Sequence, residues 1–233
     1  MGGKRKQLNM SDTTRWYLVG LITSDGCLSS DGRHIDITAK DSEYLECVKQ
    51  QAGLSCKVGE KSRGKGDLSH HLQISNIEFY EFLLSCGLCQ NKSLVLKDIK
   101  IPNIHFHDFC RGVIDGDGNI RRWIHPSNRG EQWVLRIYSG SKDFIIWLQG
   151  SIEKIFGASG RVYVEKKPES NSWYILKYGK IAAAKILKAC YYKDALALKR
   201  KAILAEACFS SRMGWSKSKT TVKFGRVVES EYT

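Results

Sequence analysis

Apolar and polar positions along the chain change their spacing several times, and each change predicts a boundary between a helix and a strand. A mostly apolar run over residues 14–24 predicts a helix that ends at Asp25-Gly26, because glycine commonly terminates helices. Alternating apolar residues then predict two β-hairpins, with one helix between them and another after them. The predicted positions are 28–39 for the first hairpin, 44–54 for a helix capped by Asp41, 56–61 with 68–75 for the second hairpin, and 77–88 for the last helix.

The same order of elements is predicted a second time between residues 105 and 190. Helices are expected at 105–116, 142–156 and 181–190, and hairpin strands at 119–125, 133–139, 161–167 and 173–178. Three short segments of similar sequence occur in the same order in both copies: 24–26 matches 116–118, 39–41 matches 141–143, and 91–93 matches 192–194. Their offsets of 92, 102 and 101 predict about ten extra residues in the first hairpin of the second copy, around 125–130.

A repeat of about 100 residues indicates tandem domains, because the repeats of solenoid proteins are much shorter. The predicted fold class is α+β, with two pseudo-symmetric α-β-β-α-β-β-α domains. We expect a basic arm at 1–12, domains at 13–93 and 104–208, a linker at 94–103 and a basic tail at 209–233. The sequence of the tail is compatible with a flexible arm and with an added strand, and it does not distinguish between them.

Composition and charge narrow the class of protein. The 233 residues include 37 Lys and Arg against 24 Asp and Glu, which gives a net charge of +13 and points to a polyanionic partner. Hydrophobic residues make up 42%, so a wholly disordered chain is excluded. No apolar run approaches the length of a membrane span, and the first ten residues lack the apolar core of a secretion signal. We therefore expect no membrane partner and an intracellular location, either the cytoplasm with its nucleoid or an organelle matrix.

The eight cysteines are expected to be reduced thiols in the protein interior, since nothing indicates secretion. Cys86 and Cys89 form one C-x-x-C motif, and His105 and His107 follow it. The spacing of the two histidines does not suit zinc, and no second C-x-x-C motif exists. Zinc binding and thiol redox chemistry are therefore disfavoured.

Two segments at the ends of the first helix of each copy carry the candidate chemistry. Residues 18–26 (LVGLITSDG) and 110–118 (CRGVIDGDG) resemble the paired motifs of single-chain LAGLIDADG homing endonucleases. The surrounding order of elements extends the resemblance over most of residues 14–207. The first motif departs from the family pattern at Val19 and Thr23, and the second at Cys110 and Arg111, positions that mainly affect how helices fit together.

The resemblance implies that the two motif helices lie side by side at the domain interface, where Gly20 and Gly112 allow close approach of the backbones. It also implies that Asp25 and Asp117 are catalytic and bind Mg²⁺, for which Mn²⁺ or Ca²⁺ can substitute in binding. The backbone carbonyls of Ser24 and Gly116 would supply further metal ligands. Carboxylates that hold a divalent cation suit phosphodiester hydrolysis, because the metal lowers the pKa of bound water and offsets repulsion of the phosphate.

The family also places a basic residue near the metal-bound water, and the repeat puts Lys92 and Lys193 at that place. An ammonium there polarises water or stabilises the developing negative charge. Ser141 is expected to position water in the second site. Because Ala39, its predicted counterpart, has no polar side chain, the two sites are expected to differ.

Period-2 alternation in the strands predicts which side chains face away from the core. A two-stranded ribbon fits the major groove of DNA, so this face is the expected DNA-binding surface. Arg121 and Arg122 are adjacent and cannot both lie on it. The residues predicted to contact DNA are Lys57, Lys61, His71, Gln73, Ser75, Arg121, Arg136, Tyr138, Arg161, Tyr163, Glu165 and Lys167.

These observations predict a monomeric, pseudo-symmetric DNA endonuclease that cuts both strands of a long, partly palindromic target. By resemblance, it cuts across the minor groove and leaves short 3′ overhangs. Two alternatives use the same scaffold without cleavage: a DNA-binding regulator and an RNA-binding intron maturase. The two retained acids disfavour both, because a binding protein has no need of them. An intein origin is also disfavoured, since splice-junction residues are absent at both ends.

Overall fold

The computed structural model describes residues 8–62, 68–127, 129–167 and 170–211. The predicted arm therefore lies outside the described residues at positions 1–7, and the predicted tail lies outside them at 212–233. In the described part, the order of elements follows the predicted repeat and adds one helix at the end. The elements are α1 Asp12–Asp25, β1 Gly26–Leu28, β2 His34–Ala39, α2 Ser42–Gln51, β3 Val58–Ser62, β4 Leu68–Ser75, α3 Ile77–Cys86, α4 Phe106–Asp117, β5 Gly118–Ile124, β6 Glu131–Ser139, α5 Lys142–Phe156, β7 Arg161–Lys167, β8 Ser170–Gly179, α6 Lys180–Cys190 and α7 Lys199–Ser210.

Each half of the chain forms one four-stranded antiparallel sheet. The strand order is β1-β2-β4-β3 in the first sheet and β5-β6-β8-β7 in the second. The predicted α+β fold class with two pseudo-symmetric halves is confirmed. In both sheets one face packs against helices, as the fully buried Ile37 and Leu72 show for the first sheet and Ile137 and Leu176 for the second. We call the opposite face of each sheet its open face.

Local sequence signals account for where the helices begin. The side chains of Asp41 and Asn76 accept hydrogen bonds from backbone N–H groups at the starts of α2 and α3, and Ser141 does the same for α5. These caps satisfy donors that a helix N-terminus otherwise leaves unpaired. The predicted turn at Asp31-Gly32 also forms, with Gly32 at φ +74°.

Helices α1 and α4 cross in direct backbone contact at the centre of the molecule. A Cβ atom at Gly20 would lie 2.0 Å from the Phe109 carbonyl oxygen, and one at Gly112 would lie 2.2 Å from that of Tyr17. No side chain fits at either position. The two halves therefore share one core, in which Leu18, Leu21 and Val113 are among the buried residues.

The register of the two sheets corrects the predicted alignment of the halves. Gly26 pairs with Ile37 in β2, and Gly118 pairs with Ile137 in β6. The offset between the halves is thus 92 at the glycines and 100 at the isoleucines, so the first hairpin of the second half carries eight extra residues. The predicted match of Ala39 with Ser141 was wrong, because Ala39 and Ser139 end equivalent strands and Asp41 and Ser141 cap equivalent helices.

All eight cysteines are free thiols in the structure, as expected. The expectation that they lie in the interior is met by Cys86, Cys110, Cys190 and Cys208, whereas Cys27 and Cys47 are exposed. Across the described ranges, no group of three or more His, Cys, Asp and Glu side chains is arranged to hold a metal ion. None of the described helices combines the length and the apolar character that crossing a bilayer requires.

Candidate active site

The two motif aspartates lie at the ends of α1 and α4, and each lines its own cavity. Asp25 lines a cavity of about 490 Å³ together with Thr38 of the first sheet. Asp117 lines a cavity of about 350 Å³ together with Trp173 of the second sheet. Thr38 and Trp173 belong to the open faces of their sheets, so each carboxylate sits where an open face meets the helix pair.

Each cavity combines residues from both halves of the chain. Gly116 of the second motif lines the cavity of Asp25, and Ser24 of the first motif lines the cavity of Asp117. The ends of the two motifs touch, since a Cβ at Gly116 would lie 2.0 Å from Ser24 Oγ and 3.2 Å from Asp25 Oδ2. Each aspartate is therefore grouped with a residue of the opposite motif.

Burial raises the pKa of both aspartates. Burial raises the pKa of Asp117 to about 6, and the nearby negative charge of Asp25 acts in the same direction. Burial also raises the pKa of Asp25, while the positive charges of Lys201, Lys92 and Arg200 act against that rise. Raised pKa values mean that ionised carboxylates at this place lack sufficient compensation from the protein itself.

Lys92 is a buried lysine beside both aspartates. It follows α3 in a short 3-10 turn over Lys92–Leu94, and only 5% of its surface is exposed. Its ammonium donates a hydrogen bond to the carbonyl oxygen of Gly26, the residue directly after Asp25. Burial lowers the pKa of Lys92, and the charges of Cys27, Asp117 and Asp25 oppose that shift. The structure thus brings Lys92 to the place at which the resemblance expects a basic residue.

Lys193 is not brought to this place. Its side chain is exposed, and the lysines whose charges act on Asp25 and Asp117 are Lys201 and Lys92. Asn91 and Asp194 both have a left-handed backbone conformation in the turn that follows the last helix of each half. Lys92 comes directly after Asn91, and the residue directly after Asp194 is Ala195. The predicted alignment of Lys193 with Lys92 was therefore shifted, and no lysine occupies the equivalent position.

Lys201 of α7 supplies the second buried ammonium instead. Its Nζ donates to the carbonyl oxygens of Ile114, Asp115 and Gly116 at 2.7, 2.6 and 2.9 Å. Burial lowers the pKa of Lys201 to about 8, although the charges of Asp115, Asp25 and Asp117 oppose the shift. Lys201 was not among the predicted site residues, because no helix was predicted at α7. The run 199–210 contains a usable signal, namely apolar residues at Ala202, Ala205 and Cys208 with helical spacing.

A buried polar network fixes α7 and therefore Lys201. Asp115, buried in α4, accepts hydrogen bonds from the hydroxyl of Tyr17, the hydroxyl of Tyr191 and the backbone N–H of Leu198. Leu198 is the N-cap residue directly before α7. Because Tyr17 belongs to α1, one carboxylate ties together both motif helices and the helix that carries the second lysine.

The oxygen atoms at the helix ends suit a divalent cation. In the described part of the chain, no side chain or backbone N–H donates a hydrogen bond to the Asp25 or Asp117 carboxylate, so these oxygens are available to a ligand. The carbonyl of Gly116 lies in the same cavity as Asp25 but already accepts from Lys201. Carboxylate and carbonyl oxygens are the hard ligands that Mg²⁺, Mn²⁺ and Ca²⁺ prefer. A cation would also offset the burial and the repulsion from Asp25 that raise the pKa of Asp117, so the residues fit a metal.

Ser141 does not lie where a water-positioning residue is needed. Its side chain is 2% exposed, its hydroxyl donates to the Leu96 carbonyl, and its oxygen accepts from the Phe144 N–H as the cap of α5. Ser139, at the end of β6, is among the residues that line the cavity of Asp117. Its equivalent Ala39, at the end of β2, lines the cavity of Asp25. The predicted polar difference between the two sites therefore belongs to Ser139 and Ala39.

The open face of the first sheet is polar and carries the side chains that alternation assigned to it. Gln73 pairs across the ladder with Asp36, and His71 pairs with Thr38 on one side and Gly59 on the other. Lys61 lies on β3, and Lys57 lies directly before that strand. Ser75 is the last residue of β4. Asp36, which was not among the predicted residues, also lies on this face and accepts hydrogen bonds from both Lys61 and His71.

The open face of the second sheet is richer in arginine and aromatic residues. Arg121 lies on this face, whereas Arg122 points to the opposite side, where it pairs with Glu131 and lies over Trp133. Two residues absent from the prediction, Lys177 and Trp123, join this face, and the Lys177 ammonium lies 5.4 Å from the centre of the Tyr163 ring. The predicted residues that the register places here are Arg121, Arg136, Tyr138, Arg161, Tyr163 and Glu165. Lys167 ends β7, but its side chain is outside the described residues.

Comparison with solved structures identifies proteins of the same fold. The homing endonuclease I-WcaI bound to its DNA recognition sequence aligns with a TM-score of 0.57 at 12% identity, over 84% of this chain and 92% of that chain. The N-terminal LAGLIDADG domain of DUF199/WhiA aligns with a TM-score of 0.53 at 15% identity, over 82% and 89% of the two chains. This chain has the two-domain LAGLIDADG fold.

Full-length DUF199/WhiA from Thermatoga maritima also aligns, with a TM-score of 0.54 at 13% identity. That alignment covers 90% of this chain and 65% of the WhiA chain, so this chain spans less than two thirds of its length. No protein-family model matches the sequence, and no curated protein matches it significantly. At these identities the likeness establishes the LAGLIDADG fold and leaves activity to be argued from the site.

Proposed function

We propose that the protein is a metal-dependent, site-specific endonuclease of the homing type, which cuts both strands of double-stranded DNA. One observation carries this proposal: the two carboxylates at the ends of the crossed helices accept no hydrogen bond from the described residues, and each is flanked by a buried ammonium group. A binding surface has no use for two repelling acids at its centre. A pair of hydrolytic sites does, since two strands require two cleavage events.

Asp25 with the Gly116 carbonyl, and Asp117 with the Ser24 carbonyl, would each hold a Mg²⁺ ion, which Mn²⁺ or Ca²⁺ can replace in binding. When bound, the metal lowers the pKa of a coordinated water and stabilises the charge that develops on the phosphate oxygens. Lys92 and Lys201 are held rigidly by backbone carbonyls and act as fixed positive charges beside the scissile phosphates. Asp115 holds α7 in place and is therefore a positioning residue.

Double-stranded DNA is the proposed partner, bound along both open faces. Support comes from the net charge of +13, from the arginines and lysines on these faces, and from the DNA-bound homing endonuclease of the same fold. A chain with two pseudo-symmetric halves can act as a monomer on a long target. Because the two faces differ in residue type, the target is expected to be only partly palindromic.

The test uses a library of randomised duplexes with and without Mg²⁺, in which bound and cut molecules are sequenced separately. We expect a defined set of sequences to be cut on both strands. Asp25→Asn and Asp117→Asn are each expected to abolish double-strand cleavage while affinity for the selected duplex is retained, because each change removes one metal-binding charge.

Failure of every duplex to be nicked or cut would overturn the endonuclease proposal. Binding without cleavage would favour a non-cleaving DNA-binding protein, and tighter binding to structured intron RNA than to duplex DNA would favour a maturase. Full cleavage by Asp25→Asn would remove Asp25 from the site.

A further inference from the structure

The open face of the first sheet has a carboxylate at its centre, which is unexpected on a surface that faces a polyanion. Asp36 lies on β2, an interior strand, and pairs with Cys27 on one side and Gln73 on the other. Its side chain is 19% exposed. Both of its oxygens accept hydrogen bonds: the Lys61 ammonium lies 3.1 Å from Oδ2, and His71 Nδ1 lies 3.1 Å from Oδ1.

Stability alone does not account for this cluster. Ion pairs on partly exposed surfaces contribute little to folding. The pairing does have an electrostatic effect, since the positive charge of Lys61 offsets the repulsion between Asp36 and DNA phosphates. Each carboxylate oxygen also retains a second lone pair that can accept a hydrogen bond.

The second half carries the opposite charge at the equivalent position. Asp36 is one residue before Ile37, and Arg136 is one residue before Ile137, and the two isoleucines pair with equivalent glycines. Arg136 lies on the open face between Asn119 and Lys177. Equivalent places on the two sheets thus present an acceptor in one half and a donor in the other.

In the major groove these two groups select different bases. A carboxylate accepts from the amino group of cytosine and is repelled by the acceptor edge of guanine, whereas an arginine donates to guanine O6 and N7. We propose that Asp36 is a specificity-determining residue that reads cytosine in the half-site of the first domain, while Arg136 reads guanine at the equivalent position of the other half-site. The inference rests on the proposed binding of duplex DNA, and it names one position at which the target departs from a palindrome.

The test compares base preferences of the full chain and its variants on duplexes obtained by selection, with binding measured in EDTA so that cleavage is not required. All four base pairs are placed at each position of the selected target. The unsubstituted protein is expected to favour cytosine at one position of one half-site by about fivefold or more. Asp36→Asn is expected to move that preference to adenine, which an amide recognises, and Asp36→Arg to guanine, as in the other half-site.

Glu60→Gln is the matched control, because Glu60 lies on β3 of the same sheet but on the opposite face and the charge change is identical. It is expected to leave every base preference unchanged. Thermal unfolding of the variants checks that each is folded, and Asp36→Asn preserves the shape of the side chain.

The inference is overturned if Asp36→Asn changes affinity equally for all targets, which would make Asp36 only a partner of Lys61 and His71. It is also overturned if base preferences are unaltered in both Asp36 variants. Selective binding without any cleavage would instead overturn the endonuclease proposal and leave this inference standing. If the unsubstituted protein binds no duplex, both fall.

Discussion

At the scale of single residues, the candidate site depends on charges that the protein leaves incompletely balanced. Asp25 and Asp117 repel each other, and both have raised pKa values because they are surrounded by protein. The sequence predicted these two acids because a motif of nine residues fixes their place at the end of a helix. It could not predict Lys201, whose approach depends on how α7 folds back onto α4 through Asp115 and Leu198.

Replacing Lys201 and Lys193 one at a time tests which of the two lysines contributes to cleavage. Lys201→Met is expected to slow cleavage of the selected duplex by about a hundredfold or more, because a fixed positive charge beside the phosphate is lost. Lys193→Met removes the same charge from an exposed position and is expected to have no measurable effect. Single-turnover rates measure both, with thermal unfolding to show that Lys201→Met is folded. Equal losses in the two variants would mean that only total charge matters.

The raised pKa of Asp117 predicts how the stability of the metal-free protein depends on pH. The carboxyl has a pKa of about 6 when folded and an ordinary value of 3.8, so between these values the folded state binds more protons than the unfolded state. The contribution of Asp117 to stability therefore falls as the pH rises through this window. Asp117→Asn removes the titration, so its stability relative to the unsubstituted protein should increase from pH 4 to pH 6 and then level off.

Denaturant unfolding in EDTA at several pH values measures this difference. Added Mg²⁺ is expected to stabilise the unsubstituted protein at pH 7 more than at pH 5, since metal and proton compete for the carboxylate. A difference between the two proteins that does not vary with pH would contradict the raised pKa.

At the scale of elements, hydrophobic periodicity predicted the six helices and eight strands of the repeat, because each buries one face. It did not predict α7, and it did not reveal the register between the halves. Ser141 illustrates the second failure: its identity suits either a strand end or a helix cap, and only the ladder from Gly118 to Ile137 shows that it is a cap. Glycines at 20 and 112 were predictable from the motif, because close helix contact requires them.

The contact between α1 and α4 predicts a large effect of a single methyl group. Gly20→Ala would put a Cβ 2.0 Å from the Phe109 carbonyl, so the helices must separate and the free energy of unfolding is expected to fall by about 1–3 kcal/mol or more. Gly150→Ala is the control, since Gly150 lies inside α5 and an added methyl group there would meet nothing within 4 Å. It is expected to stabilise the protein by about 0.5–1 kcal/mol.

Denaturant unfolding of the two variants gives both values. If Gly20→Ala is as stable as the unsubstituted protein, the backbones of α1 and α4 are not in the close contact described. The same separation would displace Asp25 relative to Gly116, so cleavage should decline along with stability.

At the scale of the whole molecule, pseudo-symmetry is followed by the backbone and broken by the side chains. The two sheets share one strand order, yet the first open face includes Asp36 and His71, whereas the second is richer in arginines and aromatic rings. The lysines of the two sites also come from different elements, a short turn after α3 and helix α7. Such asymmetry suits the partly palindromic target proposed above, and a repeat found in the sequence alone does not show it.

The placement of the positive charge, and not only its amount, should govern binding to DNA. Arg121 and Arg122 are neighbours in β5 with opposite directions, the first on the open face and the second paired with Glu131 on the other side. If the open faces contact phosphates, the logarithm of the binding constant for the selected duplex falls linearly with the logarithm of the salt concentration. Arg121→Ala is expected to lower the magnitude of this slope by about 1. Arg122→Ala removes the same charge but is expected to leave the slope unchanged.

Binding isotherms between 50 and 200 mM salt provide the measurement. Over this range, about 6–10 phosphate contacts lower affinity by about 10³ to 10⁵. Equal slopes for the two variants would mean that DNA senses only the net charge of the chain and would argue against the open faces as the binding surface.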